Sequence, residues 1–167
     1  MSVARLEQII RDACLLEATA RKAGNVHPEA SFEHLCYEDF LRSAEAVAPV
    51  LATAGEAGVG NAILKAVQAT KSVCAHNTNL GIILLLAPLA AVPPEVSLRD
   101  GIASVLASMS VEDSGLVFEA IRLAAPRGLG DSETENVDGE PTQPLVEIMS
   151  LAADRDLIAR QYSTRFK

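Results

Sequence analysis

Residues 74–92, CAHNTNLGIILLLAPLAAV, constrain the fold of this chain more than any other stretch. The second half of the stretch, residues 82–92, contains no polar side chain. A helix that is apolar on every face is typical of a buried segment. The run is too short to span a membrane, which requires about 20 apolar residues. We therefore predict a buried central helix, kinked near Pro88, whose ring cannot donate a hydrogen bond to Leu84.

The first half of the stretch is polar and contains His76, Asn77, Thr78 and Asn79 in succession. Each of Asn77, Thr78 and Asn79 can cap the central helix by accepting a backbone N–H that has no partner within the helix. Gly81 has no side chain, so a ligand can come close to the amides of the first turn. Because a helix N-terminus carries partial positive charge, the pattern indicates either an anion-binding site or an ordinary capped core helix.

Apolar residues at helical spacing recur along the whole chain, and no strand-like alternation or internal repeat occurs. Ser97 can cap one helix, and Ser110 with Asp113 resembles a capping box for the next. The sequence therefore predicts one all-α domain over residues 1–167, a compact bundle of about seven helices around the buried central helix. The predicted helices cover residues 3–21, 37–51 (bent or broken near Pro49), 59–73, the central run to 92, 97–109, 110–124, and a last one from about Leu145 whose exposed end carries Asp154, Arg155 and Asp156.

The charge and the cysteines limit the class of partner and the compartment. The formal net charge is -8, and no basic block offsets it. We therefore expect no nucleic-acid partner, although a phosphorylated ligand requires only local positive charge. The first 20 residues mix charged and apolar side chains, which is unlike a secretory signal. Three cysteines without a C-x-x-C motif favour a reducing cytoplasm.

A first cluster of candidate site residues surrounds the end of the first helix. Glu17 falls on the apolar face of that helix, where a carboxylate must be paired, hydrated or functional. Arg21, one turn further on, is the candidate structural partner. The following loop contains Asn25 and His27 close to Lys22, all of which can contact a ligand.

A second cluster lies in the long polar loop after the sixth predicted helix, which carries Asp131 and Glu133. Loops of this length within a domain are usually functional or disordered. One interpretation is a solvated acidic connection. The other is a Mg²⁺ site, in which one or two carboxylates, water and phosphate oxygens surround the ion.

Several motifs resemble the triphosphoribosyl-dephospho-CoA synthase family, especially its archaeal and environmental-bacterial branch. They are LLEATARKAGNVHP, the Y-E-D-F helix start, HNTNLGIILLLAPLA, IRLAAPRGLG and LAADRDLIARQY. The resemblance implies an all-helical fold and a transferase that joins ATP to 3′-dephospho-CoA with release of adenine. It also implies ATP and a dephospho-CoA-like acceptor as partners.

The resemblance further implies roles for the candidate residues. Glu17 or Asp131 would stabilise the positive charge that develops on the ribose when adenine leaves. Mg²⁺, held by Asp131 and Glu133, would bind the triphosphate together with the chain. The substrate-binding residues would be Lys22, Gly24, Asn25, His27, Asn77, Thr78, Asn79 and Gly81, with Asn25 and Asn79 on the ribose or the base. Lys22-Ala23-Gly24 stands where the family usually has lysine-proline-glycine.

The family continues into a second helical half, so the resemblance implies that this chain corresponds to the N-terminal part of a longer fold. A homo-oligomer or docking to a C-terminal half would then complete the cleft. Two alternatives stay open. One is a non-catalytic helical domain that binds a nucleotide or a partner protein. The other is a related ribosyl-transfer enzyme in the biosynthesis of pterin C1-carriers.

Overall fold

The computed structural model describes residues 1–22, 24–126 and 135–167. Within these residues the chain forms nine helices and no strand, so the all-α prediction is confirmed. The helices are α1 (Val3–Thr19), α2 (Tyr37–Leu51), α3 (Ala54–Ala57), α4 (Val59–Val73), α5 (Leu80–Ala90), α6 (Leu98–Ser108), α7 (Val111–Ala124), α8 (Leu145–Ser150) and α9 (Leu157–Thr164).

The sequence predicts about seven helices and the structure describes nine, for two reasons. The four-residue helix α3 forms within the glycine-rich connection between α2 and α4. The predicted last helix is in fact two helices, because the Oδ1 atom of Asp156 accepts the N–H of Ala159 at 2.8 Å. Asp156 therefore begins α9 instead of marking the exposed end of α8. Of the bend or break predicted near Pro49, the break does not occur, since α2 continues through Pro49 to Leu51.

Helix α4, and not α5, lies at the centre of the core. Eight of its 15 residues are buried, and it packs most closely against α7 and α2. Helix α5 contacts α1, α2, α3, α4, α6 and α9, but only one of its faces is fully buried. Helix α5 thus lies in the interior, with no exposed residue, but it is not fully buried on every face. Its half-buried face consists of Ile82, Leu85, Leu86 and Leu89.

Asp113 joins the N-termini of two helices. The predicted capping box of α7 is confirmed, because the Oδ2 atom of Asp113 accepts the N–H of Ser110 at 2.8 Å. Its Oδ1 atom accepts the N–H of Gly60 in α4 at 3.1 Å. Helix α4 needs this contact because its own cap residue, Gly58, has no side chain. A Cβ atom on Gly60 would lie only 2.8 Å from the Cα of Asp113, so α4 and α7 pack very closely.

Helix α9 supplies a hydrogen-bond donor to the carbonyl group that Pro88 leaves unpaired. Helix α5 continues through Pro88 to Ala90, and Pro88 has no N–H for the carbonyl of Leu84. The hydroxyl of Tyr162 donates to that carbonyl at 2.6 Å, and Tyr162 is completely buried. This hydrogen bond connects α9 to α5, the apolar helix whose sequence most constrains the fold.

An apolar groove of about 720 Å³ separates the first half of α1 from the end of α5. Leu6, Ile9, Leu86 and Leu89 are among the residues that line it. Docking of a C-terminal half or of a second copy at such a surface stays a prediction.

Within the described residues no single helix is long and apolar enough to cross a membrane. Helices α6 and α7 reach that length and composition only together, and they are bent by 96° at their break.

Candidate functional site

Helix α2 brings the end of α1 and the polar segment before α5 to the same end of the bundle. The hydroxyl of Tyr37, its first residue, lies 2.8 Å from the hydroxyl of Thr19 at the end of α1. The hydroxyl of Ser43 accepts a hydrogen bond of 2.7 Å from Thr78, just before α5. Tyr37 and Ser43 are separated by about 9 Å along the helix axis. The end of α1 and the start of α5 therefore flank the first turns of α2.

Glu17 is paired with Lys22 and not with Arg21. The ammonium group of Lys22 contacts the Glu17 carboxylate and donates to the Glu17 backbone carbonyl at 2.8 Å. The predicted partner Arg21 binds Glu29 instead, because α1 ends at Thr19 and Arg21 no longer lies one helical turn beyond Glu17. The side chains of Glu17 and Lys22 remain 40% and 36% exposed, so a ligand can reach the pair.

The loop after α1 is held by short-range contacts. Gly24 has a φ angle of +77°, which residues with a side chain rarely adopt. The N–H of Asn25 donates to the carbonyl of Lys22 at 3.2 Å. The Nδ1 atom of His27 accepts the N–H of Glu29 at 3.3 Å. Because Nδ1 is an acceptor there, a neutral imidazole carries its proton on Nε2, which is left to donate to a ligand.

The three polar residues before α5 have three different partners. Asn77 provides the cap, since its Oδ1 atom accepts the N–H of Leu80 at 3.1 Å. Thr78 donates to Ser43, as described above. Asn79 lies deeper, and its Oδ1 atom accepts from the hydroxyl of Thr70 in α4 at 3.0 Å. The Nδ2 atom of Asn79 is buried and has no partner among the described residues.

Gly81 has a packing explanation that the sequence did not reveal. A Cβ atom at this position would lie 2.9 Å from the Cδ1 atom of Ile158 in α9. The absence of a side chain therefore allows α9 to approach the first turn of α5. Close approach of a ligand to the same turn stays a prediction.

A stable carboxylate lies at the start of α2. The Oδ2 atom of Asp39 accepts the N–H of Cys36 at 2.9 Å, and Arg42 donates to its Oδ1 atom at 2.6 Å. These contacts, first the Cys36 N–H and then the guanidinium, hold the pKa of Asp39 below its usual range.

In the neighbouring α1, burial and then the charge of Glu17 raise the pKa of the Cys14 thiol to about 11, so this thiol is not a nucleophile at neutral pH.

The predicted metal ligands Asp131 and Glu133 lie outside the described residues. Among the residues that are described, no group of three or more His, Cys, Asp and Glu side chains could hold a metal ion. Mg²⁺ coordination by Asp131 and Glu133, and a catalytic role for Asp131, therefore stay predictions.

Ser43 and Thr70 are the polar partners that sequence reasoning missed. Both are buried, and each hydroxyl binds a side chain of the segment before α5. Thr70 lies among the buried apolar residues of α4, and Ser43 lies beside Ala44 on the buried face of α2. A small polar residue within an apolar helix face was the available signal, because buried polar groups require a partner.

Comparison with known proteins gives one result that covers almost the whole chain. A family model described as ATP:dephospho-CoA triphosphoribosyl transferase matches residues 3–167. Neither the curated proteins nor the solved structures contain a match. The match includes the candidate residues at the end of α1 and before α5, and all of the helices from α1 to α9.

Proposed function

Because the chain belongs to the ATP:dephospho-CoA triphosphoribosyl transferase family, we propose that the polar end of its bundle binds ATP and carries out the transfer. In this reaction a hydroxyl of dephospho-CoA forms a bond to C1 of the ATP ribose while the bond from C1 to adenine breaks. The hydroxyl loses its proton and adenine leaves with one. The family match is the observation that carries this proposal.

Glu17 is the proposed electrostatic stabiliser of the transition state. When adenine leaves, positive charge develops on the sugar, as it does in glycoside hydrolysis. A fixed carboxylate stabilises such a charge. The contact with Lys22 supports this role, because it fixes the position of the carboxylate at the end of α1. The remaining exposure of the pair leaves space for the sugar.

The start of α5 and the loop after α1 are the proposed binding surface for ATP. The positive end of the α5 dipole, Lys22 and His27 would hold the triphosphate. Asn25 and Asn79 would bind ribose hydroxyls or the base. The free Nδ2 atom of Asn79 supports this assignment, since a buried donor requires an acceptor. Gly24, Asn77, Thr78 and Gly81 would shape the backbone around the ligand.

Mg²⁺ is the proposed companion of ATP, with Asp131 and Glu133 as its ligands. The ion would neutralise phosphate charge, which matters in a chain whose net charge is -8. The proposed compartment is the cytoplasm, where ATP is present and cysteines stay reduced.

Adenine release from ATP, measured with and without dephospho-CoA, tests the proposal. The purified chain should release adenine only when the acceptor is present. Glu17→Gln should lower the rate by a factor on the order of 10² to 10³. Glu7→Gln is the matched control, because Glu7 is also a glutamate of α1 in an ion pair, with Arg11 at 2.9 Å.

Three outcomes would contradict parts of this proposal. A Glu17→Gln variant as active as the Glu7→Gln variant would remove Glu17 from the mechanism. ATP binding without any adenine release would identify a non-catalytic nucleotide-binding domain. Adenine release that does not need the acceptor would show that water is the nucleophile.

A further inference from the structure

A small cavity lies beside the segment that leads into α5. Its volume is about 10 Å³, which is space for one atom of the size of a water oxygen. Its floor is formed by the buried residues Val67, Thr70, Asn79, Leu80 and Ala124. Its rim is formed by residues that reach the surface, namely Lys71, His76 and Asn77.

The floor of this cavity contains the unpaired donor of the site. Asn79 is only 6% exposed, and its Nδ2 atom has no partner among the described residues. Its Oδ1 atom lies 3.0 Å from the hydroxyl of Thr70, which also lies 3.1 Å from the carbonyl of Ala66, and these contacts fix the plane of the amide. Buried polar groups in proteins nearly always have a hydrogen-bond partner. Asn79, which lines the cavity, therefore carries a fixed amide donor that lacks an acceptor.

The charge around the cavity favours a negatively charged acceptor. Lys71 and His76 form part of the rim, and none of the described residues that line the cavity is a carboxylate. The N-terminus of α5 adds partial positive charge. Lys71 donates to the carbonyl of Ala75 at 3.1 Å, which keeps its ammonium group near the rim. In a chain with a net charge of -8 this is a local positive site that suits an anionic oxygen.

We propose that the cavity binds one oxygen of a phosphate group, the rest of which lies at the rim beside Lys71 and His76. Asn79 donates to that oxygen, Thr70 is the positioning residue for the Asn79 amide, Lys71 supplies positive charge and His76 supplies a ring N–H. This inference rests on the proposed function for the identity of the ligand, which would be the triphosphate of ATP, and it reassigns the Asn79 donor from the ribose or the base to a phosphate oxygen. It adds Thr70, Lys71 and His76 to the residues of the site.

Calorimetric titration of the full chain with inorganic tripolyphosphate at low salt tests this inference. Asn79→Asp keeps the size of the side chain but replaces the donor by a carboxylate, and should weaken binding about 10- to 100-fold. Lys71→Ala should weaken it about two- to fivefold. Lys65→Ala is the matched control, because it removes the same charge from an exposed position of α4 and should leave binding unchanged. Thr70→Val should weaken binding, and Thr70→Ser, which keeps the hydroxyl, should retain it.

The outcomes separate this inference from the proposed function. If the chain does not bind tripolyphosphate, or if Lys71→Ala binds as well as Lys65→Ala, the phosphate site is refuted. That comparison decides the matter even if Asn79→Asp does not fold, because both lysines reach the surface. Tripolyphosphate binding with the expected variant effects, but without adenine release, would support the cavity and contradict the transfer reaction. Normal adenine release by Lys71→Ala and Asn79→Asp would contradict the cavity and leave the transfer reaction intact.

Discussion

Replacing Tyr162 by Phe should reveal how much the fold depends on the donor to Leu84. The substitution removes only the hydroxyl, and the ring keeps its packing. The carbonyl of Leu84 would lose its 2.6 Å hydrogen bond in a place where the donor side chain is fully buried. An unsatisfied buried acceptor costs about 1–3 kcal/mol. For a chain of this size that corresponds to a decrease in Tm of about 2–12 °C.

A second substitution tests the physical reason for this loss. Pro88→Ala returns a backbone N–H to the position from which an α-helix donates to the carbonyl of Leu84. In the Pro88→Ala background the hydroxyl of Tyr162 has a competitor, so Tyr162→Phe should cost less. The two substitutions should therefore depart from additivity by about 1 kcal/mol. Urea unfolding followed by circular dichroism measures all four proteins of the cycle.

Tyr37→Phe is the matched control for this cycle. The hydroxyl of Tyr37 is also hydrogen-bonded, to Thr19 at 2.8 Å, but that contact is exposed to water. Water can replace the lost partner there, and the change should cost less than about 1 kcal/mol. The reasoning is refuted if Tyr162→Phe is as mild as Tyr37→Phe. Equal costs of Tyr162→Phe with and without Pro88 would refute it as well.

Three further predictions follow from packing and charge. Gly60→Ala should destabilise the fold by about 1–3 kcal/mol, since the new Cβ would contact the Asp113 backbone. Gly115 has open space around it, so Gly115→Ala should stabilise the fold by about 0.5–1 kcal/mol. Thermal unfolding distinguishes the two variants. Ile83→Ala should lower the free energy of unfolding by about 2–5 kcal/mol, and Leu85→Ala should lower it clearly less because Leu85 is only half-buried. Equal losses in urea unfolding would contradict the assigned burial. The ionised Asp39 has a lowered pKa, so its stabilising effect should be complete above the ordinary carboxyl pKa and disappear as the pH falls through the lowered one. An Asp39→Asn variant whose unfolding showed the same acid dependence as the wild type would refute this assignment.

The helices and most of their ends could be predicted because their signals are local. The caps at Ser97 and Ser110 depend on residues three positions away, and the structure contains both. The centre of the core could not be predicted in this way. An apolar sequence such as that of α5 indicates what can be buried, but which face is covered depends on neighbours that are distant in sequence.

The same distinction applies to the candidate site. The polar residues at the end of α1 and before α5 were identifiable as clusters from the sequence. Their partners were not, because Lys22 replaces Arg21 beside Glu17 where the helix ends early, and Thr70 holds Asn79 from another helix. Hydrogen bonds across the fold decide which donors remain available for a ligand. Propensity and spacing contain no information about them.

The contact between Tyr162 and Leu84 also sets an order of events during synthesis. The two residues are 78 positions apart, so the donor is made long after the acceptor. At a translation rate of about 5–20 residues per second, Tyr162 is added about 4–16 seconds after Leu84. During that time α5 carries an unpaired carbonyl, which favours a hydrated helix end over a dry core. Completion of α9 is therefore the step that allows this part of the interior to close. A nascent chain stalled before residue 157 should show faster proteolysis near α5 than one that includes α9.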